Sequence, residues 1–372
     1  MSRVVLFDAE YEAEAIKAAV SGFLDVFHTD WKAKTVLIKP NMLSDYPPER
    51  HVTTHPSVIR QLVSMLLERG AEVIVGDNPG ISGYGSNKRC AQGTGILDAS
   101  LGRYRNIALD VVQVEIDSAN VDSVPVSKIV LDADIVISVP KFKTHVLTTL
   151  SGAIKNHYGI VVGAQKTRMH VAGARPADFA KILVDIYAVR PPDLVLIDAV
   201  QALEGLGPVG KRTRHIGRLI GADDGVAADA VMARMMGISP KQVDHVRIAA
   251  ERGLGSIDLA DMELDGEVEP VPGFLLPWQV DTLNPRRLTN TRSVFRFLSK
   301  PRLKVVSSRC SACGLCVEKC PVGAVTLQKH ARIDDKSCMR CFCCYEICPE
   351  DAIEIRGPLR HIIPSPDAGS GT

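Results

Sequence analysis

The chain has 372 residues, of which 46% are hydrophobic and 23% charged, and its formal net charge is +1. This length predicts two or three domains, and the composition is typical of a soluble globular protein. The balanced charge argues against nucleic-acid or membrane binding, and no apolar run approaches the roughly 18 residues of a spanning helix. Acidic residues near the N-terminus, where a secretion signal needs an apolar core, favour a cytoplasmic location.

The first 264 residues alternate between short apolar runs and helical patterns, as βαβ units do. The predicted helices cover residues 11–27 and 56–70, and the predicted strands cover residues 3–7, 35–39, 72–76, 111–116, 135–139, 194–197 and 216–220. Strands that are apolar throughout indicate a sheet buried on both faces by helices. The predicted fold class is therefore α/β, with a Rossmann-like layered domain and a mostly parallel sheet over residues 1–264.

Polar residues follow several of these strands, at the edge where ligands bind to parallel sheets. Four lysines would form a cationic pocket for a small anionic substrate bearing a carboxylate or phosphate: Lys39, Lys141, Lys143 and Lys155. Asn41 and Asn156 would orient this substrate. His145 is the predicted proton donor, and Lys141 and Lys143 are candidates for the same catalytic role. Four acids are predicted to pair with the lysines or to bind a divalent ion: Asp77, Asp198, Glu204 and Asp229.

Each of these residues also has an ordinary structural interpretation. A lone lysine or aspartate is more often a solvated surface charge than a ligand. His157 and His170 are predicted to be structural or surface histidines, because no i, i+4 spacing supports a metal site that they would form with His145. Residues 205–210 fit G-x-G-x-x-G, but Pro208 lies inside the turn, so no dinucleotide fingerprint is predicted there. A flavin cofactor is compatible with the sequence, but no motif supports one.

The order of these motifs resembles the family catalogued as domain of unknown function 362, over roughly residues 1–260. The matching segments are K-P-N at 39–41, D-N-P-G at 77–80, P-K-x-K-T-H at 140–145, G-A-I-K-N at 152–156, D-A at 198–199, E-G-x-G-P at 204–208 and V-A-x-D-A-V at 226–231. Some members of that family carry a C-terminal ferredoxin-like domain. The resemblance implies a cytosolic iron–sulfur protein that is suspected of redox chemistry and whose substrate is uncertain.

Cysteine is concentrated near the C-terminal end, where nine of the ten cysteines lie between Cys310 and Cys348. Two copies of C-x2-C-x2-C-x3-C-P begin 28 residues apart: Cys310, Cys313, Cys316 and Cys320, then Cys338, Cys341, Cys344 and Cys348. Thiols stay reduced in the cytosol, so this clustering indicates metal rather than disulfides. The spacing is that of bacterial ferredoxins.

In two-cluster ferredoxins, the fourth cysteine of each run ligates the other cluster. This likeness assigns one [4Fe–4S] cluster to Cys310, Cys313, Cys316 and Cys348, and the other to Cys320, Cys338, Cys341 and Cys344. Cys343 is left over. The alternative is a pair of zinc sites, because eight thiolates also satisfy two tetrahedral ions. Zinc ribbons usually separate two C-x2-C pairs, so the spacing favours iron–sulfur clusters.

The predicted domain organisation has three further segments after residue 264. Residues 265–304 contain five prolines and are predicted to form a connector. Residues 305–357 are predicted to form a small α+β ferredoxin-like domain with two clusters. Residues 358–372 are rich in proline, glycine and serine and are predicted to be a flexible tail.

Three functions are compatible with this organisation. The leading prediction is an iron–sulfur oxidoreductase that passes electrons from a low-potential carrier protein to a small anionic substrate or cofactor. The second is a non-enzymatic electron-transfer partner or reductive activator of another metalloprotein. The third is a lyase or isomerase whose clusters are structural or oxygen-sensing. Turnover of a small molecule by the isolated protein separates the first function from the second.

Overall fold

The protein is described by a computed structural model over residues 1–27, 30–80, 86–118, 121–163, 165–173, 175–277 and 301–357. The strands are β1 (Ser2–Asp8), β2 (Thr35–Pro40), β3 (Glu72–Val75), β4 (Val111–Glu115), β5 (Ser123–Ser127), β6 (Ile135–Val139), β7 (Lys141–His145), β8 (Thr149–Leu150), β9 (Leu194–Glu204), β10 (Arg212–Ala222), β11 (Met262–Asp265), β12 (Arg302–Val305), β13 (Val325–Leu327), β14 (Ala331–Ile333) and β15 (Ile353–Arg356).

The α-helices are α1 (Ala13–Val26), α2 (Pro56–Glu68), α3 (Asn87–Gly93), α4 (Ile96–Ala99), α5 (Lys128–Asp132), α6 (Gly152–His157), α7 (Gln165–Ala172), α8 (Pro176–Val189), α9 (Gly225–Met235), α10 (Asp244–Glu251), α11 (Leu315–Glu318) and α12 (Cys343–Ile347). Short 3-10 turns cover Pro48–Arg50, Tyr158–Ile160, Pro240–Gln242 and Leu259–Asp261. No helix among the described residues is long and apolar enough to cross a membrane.

The large sheet has the strand order β11-β1-β10-β9-β6-β2-β3. Strands β9, β6, β2 and β3 are mutually parallel, and β1 pairs in parallel with β11. Strand β10 is antiparallel to both of its neighbours, because it returns from β9 as a long hairpin. The predicted α/β class with a mostly parallel sheet is confirmed.

Helices cover both faces of this sheet, as the apolar strands indicate. Within β2, Val36 and Ile38 pack on one side with helices α1 and α2, while Leu37 packs on the other side with α8 and α9. Alternate residues of a strand point to opposite faces, so a strand that is apolar at every position needs cover on both. The carboxyl ends of β2, β3 and β6 therefore lie at one edge of a layered domain.

Two predicted segments differ from the structure. Residues 111–116 are not part of the large sheet, because β4 pairs with β5 in a separate antiparallel ribbon. Gln113 and Glu115 alternate with valines in β4, so this strand presents one polar face. Residues 141–145, polar residues that follow the predicted strand at 135–139, form a strand of their own, β7, which pairs in parallel with β9 and places Lys141 beside Asp198.

The cysteine-rich region is α+β, with two antiparallel strand pairs, β12 with β15 and β13 with β14, and the short helices α11 and α12. Pairing of β12 begins at Arg302, inside the stretch that the sequence predicts as connector. Residues 278–300 and the predicted tail at 358–372 lie outside the described residues.

The cysteine-rich region packs on the carboxyl-end edge of the large sheet. Phe342, Cys344 and Ile353 belong to the same apolar core as the face of the sheet that carries α8 and α9. The Tyr345 hydroxyl donates a 2.7 Å hydrogen bond to the carbonyl oxygen of Leu206. This packing brings the cysteine-rich region against the predicted substrate pocket.

Candidate functional site

Lys39 ends β2 in a buried ion pair. Its Nζ lies 2.6 Å from Asp77 Oδ1 and donates a 2.7 Å hydrogen bond to the carbonyl oxygen of Asn156. Burial lowers the pKa of Lys39, and the Asp77 carboxylate opposes this effect. Gly159 approaches so closely that a Cβ at this position would overlap both charged side chains. The pair therefore fixes the loop after α6 against the strand ends.

Lys141 is held in a second buried ion pair. Its Nζ donates to Asp198 Oδ2 at 2.9 Å and to the Tyr11 hydroxyl at 2.6 Å. Tyr11 in turn donates a 2.8 Å hydrogen bond to Asp198 Oδ1. Burial lowers the pKa of Lys141, and Asp198 opposes this effect. Both of these residues are fully buried, so neither presents a free charge to a substrate.

Lys143 and His145 are also buried, on β7. Lys143 Nζ donates a 2.8 Å hydrogen bond to the carbonyl oxygen of Val52, and burial lowers the pKa of Lys143 to about 7. The Nδ1 atom of His145 accepts the N–H of Leu147 at 3.1 Å, so the ring proton is on Nε2. The pKa of His145 is lowered well below its usual value, chiefly by burial, and the positive charges of Lys155 and Lys143 add to this effect. The ring is therefore neutral at pH 7, and its predicted catalytic role is restricted to the neutral Nε2–H.

Lys155 is the predicted lysine without a partner. Within the part of the chain that the structure describes, its ammonium group makes no hydrogen bond and no ion pair, and it faces a cleft of about 70 Å³. Burial lowers the pKa of Lys155, and Glu346 opposes this effect. The cleft is lined by Asn41, Met42, Leu43, Asp77, Asn78, Gly80, Lys155, Asn156, Tyr158, Gly159, Lys166, His170 and Glu346. It therefore contains four of the predicted substrate-binding residues.

Glu346 reaches this cleft from the cysteine-rich region. It lies on α12, two residues after Cys344 and two before Cys348, and its side chain is 12% exposed. Its Oε1 atom is 3.4 Å from the Nε2 atom of His145. Burial raises the pKa of Glu346 to about 7, while Lys155 and Lys143 oppose this rise. One carboxylate thus connects the cysteine run with the lysines at the strand ends.

Glu204 and Asp229 lie away from the cleft. Glu204 accepts hydrogen bonds from Arg214 at 3.2 Å and from the N–H of Leu275 at 3.1 Å. Asp229 accepts the backbone N–H groups of Ala153 and Ile154 at the start of α6, at 2.5 and 3.0 Å. Burial raises the pKa of Asp229 to about 7, and both hydrogen bonds oppose this rise. Neither acid pairs with a lysine, so the contacts of both are structural, and their predicted substrate contact stays a prediction.

The other buried histidines are neutral. Burial lowers the pKa of His157 and of His170 to about 3. His170 stacks on Phe179 with ring centroids 4.4 Å apart, and it also lines the cleft. Among the described residues, no three His, Cys, Asp or Glu side chains are grouped so that they would hold a single metal ion.

Four of the cluster cysteines line one cavity: Cys310, Cys313, Cys316 and Cys348. This set combines three thiols of the first run with the last thiol of the second. Burial is the main cause that raises the pKa of Cys316. The thiols of Cys348, Cys313 and Cys310 raise it further, so all three lie close to Cys316. Each thiolate of a cubane binds a different iron, so a set arranged around a cavity fits a cluster better than one zinc ion.

The second predicted set is gathered around Cys344. The pKa of Cys344 is raised well above its usual value, chiefly by burial. The neighbouring thiols add to this rise, in the order Cys341, Cys338, Cys316 and Cys320. The fourth cysteines are also equivalent, because Cys320 Sγ accepts the N–H of Ala324 and Cys348 Sγ accepts the N–H of Ala352, both at 3.2 Å. The fourth thiols of the two runs therefore have matching contacts, while ligation of a second cluster stays a prediction.

Sequence reasoning missed Glu346 and Lys166. Lys166 lies on helix α7 and does not follow a strand in the sequence, so a search of the strand ends does not find it. Its Nζ donates hydrogen bonds to the carbonyl oxygens of Asn78 and Pro79 at 2.8 and 3.1 Å. Glu346 has an internal counterpart, since Glu318 occupies the same position of the first run. Glu318 is exposed and pairs with Lys319 at 2.6 Å. Local sequence does not distinguish the two glutamates, because only packing on the large sheet buries one of them.

Comparison with known proteins matches both parts of the chain. Residues 36–234 match the model of a domain of unknown function, DUF362, and residues 303–326 match a 4Fe-4S binding domain. A thylakoid-associated protein of Synechocystis sp. is 30% identical over 285 residues, which cover 72% of this chain and 85% of that protein. The chain therefore belongs to the DUF362 family, and it carries a 4Fe-4S ferredoxin-type domain at its C-terminal end.

Proposed function

We propose that this protein is an iron–sulfur oxidoreductase that exchanges electrons between two [4Fe–4S] clusters and a small anionic ligand in the Lys155 cleft. The observation that carries the proposal is the position of Glu346. This side chain lies between two predicted cluster ligands, Cys344 and Cys348, and it also lines the cleft with Lys155 and Lys166. A ligand in the cleft would lie beside the polypeptide that holds the clusters.

The residues of the cleft divide into framework and ligand contacts. The ion pair of Lys39 with Asp77 holds the strand ends in place, because both charges are already satisfied. Lys155 would hold the anion, since its ammonium group lacks a partner within the described residues and an unpaired charge in a cleft favours an opposite charge. Lys166 has one N–H left after its two carbonyl bonds and can contact the same anion.

The clusters supply single electrons when bound, and reduction of a ligand also needs protons. Lys155 would contact the bound anion directly, and burial lowers its pKa, so release of a proton to a reduced ligand is easier than from a surface lysine. Glu346 also lines the cleft, and its Oε1 atom lies 3.4 Å from the Nε2 atom of His145. The proposed proton source is thus Lys155, with His145 as a neutral neighbour.

A second function is electron transfer to a partner protein without turnover of a small molecule. Cys313, in the first predicted ligand set, is exposed, so that cluster would lie close to the surface and to a docked carrier. The relative from Synechocystis sp. is named as thylakoid-associated.

Reoxidation of the reduced protein separates these functions. We would reduce the anaerobic protein and follow its cluster absorbance while adding a protein-free metabolite extract of the host. Fast reoxidation that is lost in Lys155→Gln and kept in Lys181→Gln, an exposed control on α8, is expected for the oxidoreductase. Reoxidation by the host's protein fraction alone would favour the electron-transfer partner.

A further inference from the structure

The wall of the cleft contains a hydrogen-bond acceptor whose orientation is fixed. Asn156 Nδ2 faces the Ser138 hydroxyl at 3.0 Å and the carbonyl oxygen of Lys39 at 3.5 Å, so Asn156 Oδ1 must point the other way. That oxygen accepts from Asn41 Nδ2 at 3.0 Å. If Asn41 were turned over, two amide oxygens would meet, so the chain of contacts sets both amide groups.

Asn41 Oδ1 is consequently a hydrogen-bond acceptor without a donor among the described residues. It is buried, it has no hydrogen-bond partner among the described residues, and its side chain lines the cleft. An unsatisfied buried acceptor is costly and needs a donor from water or ligand. The Nδ1 atom of His170, on the same cleft, is also buried without a partner in the described part of the chain.

Lys155 and Lys166 supply the donors of the cleft, while its two carboxylates have charged or polar neighbours already: Asp77 Oδ1 lies 2.6 Å from Lys39 Nζ, and Glu346 Oε1 lies 3.4 Å from His145 Nε2. Lys155 has all its N–H groups free within the described residues, and Lys166 has one left after its bonds to the carbonyl oxygens of Asn78 and Pro79. The cleft therefore offers positive donors for an anion and a separate neutral acceptor in Asn41. A simple anion would satisfy the lysines and leave the Asn41 oxygen unpaired.

We infer that the cleft selects a small oxyanion that also bears a neutral hydroxyl group, with the anion on Lys155 and Lys166 and the hydroxyl on Asn41 Oδ1. The cleft measures about 70 Å³. One ordered water needs roughly 10–15 Å³ by this measure, so a ligand of about five or six water-sized atoms fits. This inference rests on the proposed function, because it takes the cleft as the anion site.

Two matched acids test the inference, since glycolate differs from acetate by one hydroxyl group. Binding to the cluster-loaded protein would be measured by anaerobic calorimetry with each acid. Glycolate is expected to bind roughly three- to tenfold more tightly than acetate, the range of one hydrogen bond to a buried acceptor. In Asn41→Leu this ratio should fall to about one.

The outcomes separate the inference from the function on which it rests. Equal binding of glycolate and acetate to the natural protein would overturn the hydroxyl contact and leave the anion site standing. Failure of both acids to bind at tens of millimolar would overturn the anion site itself. Because the natural protein alone gives this comparison, the test holds even if Asn41→Leu does not fold.

Discussion

Lys155 differs from its neighbouring lysines in the partners that each ammonium group has. Lys39 and Lys141 are paired with Asp77 and Asp198 at 2.6 and 2.9 Å, so their charges are neutralised within the fold. The ammonium group of Lys155 makes no direct ion pair among the described residues, although the Glu346 carboxylate acts on it, so a bound anion would add a direct contact with an opposite charge. Lys155 is therefore the residue on which the proposed anion site depends.

Anion binding should weaken as the pH rises above 7. Burial lowers the pKa of Lys166 to about 7; Asp77 opposes this effect, and Lys39 and Lys155 reinforce it. An anion favours the charged form, so binding takes up a proton above that pKa, and glycolate affinity should fall as much as tenfold per pH unit. Calorimetry in buffers of different ionisation enthalpy measures the uptake directly. In Lys166→Met the Lys166 share of the uptake should disappear, and an unchanged uptake would contradict its role.

The internal repeat supplies a matched pair for testing Glu346. Above pH 7, where Glu346 is mostly ionised, Glu346→Gln removes a negative charge beside the predicted ligands of α12. The midpoint potential of the nearby cluster should then rise by tens of millivolts, where about 59 mV is a tenfold change for one electron. Glu318→Gln alters the equivalent, exposed position and should change the potential much less. A potentiometric titration followed by electron paramagnetic resonance measures both. Equal shifts in the two variants would show that burial at the cleft is irrelevant.

At the scale of elements, the two cysteine runs are interleaved rather than separate. The cavity lined by Cys310, Cys313, Cys316 and Cys348 takes its last thiol from the second run. The short helices α11 and α12 each follow a cysteine run of the same spacing. The predicted exchange of the fourth ligand would therefore join the two halves of the small domain.

Loss of a fourth cysteine should affect the cluster of the other run. Cys348→Ser is expected to impair the cluster of Cys310, Cys313 and Cys316, and Cys320→Ser is expected to impair the cluster held by the second run. Iron analysis should give about eight iron atoms in the natural protein. Resonance spectra of the reduced variants then show which signal is lost. Loss of the signal from the same run in each variant would contradict the interleaved assignment.

The start of α6 should be intolerant of a side chain at Gly152. This residue has φ +53°, and a Cβ there would collide with the Asp229 carboxylate that caps the helix. Gly152→Ala should therefore cost about 2–4 kcal/mol in the free energy of unfolding, by adding loss of buried hydrogen bonds to backbone strain. Gly102→Ala, with φ +78° and no atom within 4 Å of the Cβ, should cost only about 1 kcal/mol. Chemical denaturation compares them, and equal costs would exclude the collision.

The sequence predicts these elements unevenly, for physical reasons. The apolar runs of β2 and β6 and the spacing of the cysteines are local signals, so the strands and the ferredoxin-type domain follow directly. The predicted strand at residues 35–39 contains Lys39, as β2 does, but the pairing of Lys39 and Lys141 with acids depends on contacts between distant segments. The same limit applies to Glu346, which lies about 200 residues beyond the lysines it approaches.

For the whole molecule, the main feature is the packing of the cysteine-rich region on the carboxyl-end edge of the large sheet. Phe342 and Cys344 share an apolar core with that sheet, and Tyr46 donates a 3.1 Å hydrogen bond to the carbonyl oxygen of Glu346. A charge that enters the cleft is thereby placed close to the predicted ligands. Anion binding and cluster reduction should consequently influence each other, and such coupling is reciprocal.

The most direct test is the midpoint potential of the clusters with and without saturating glycolate. A bound anion adds negative charge beside α12 and disfavours reduction, so the potential should fall by tens of millivolts, about 59 mV for each tenfold preference of the anion for the oxidised protein. The shift should be absent in Lys155→Gln and retained in Lys181→Gln. An unchanged potential in the natural protein, with glycolate binding demonstrated under the same conditions, would contradict the proposed link between cleft and clusters.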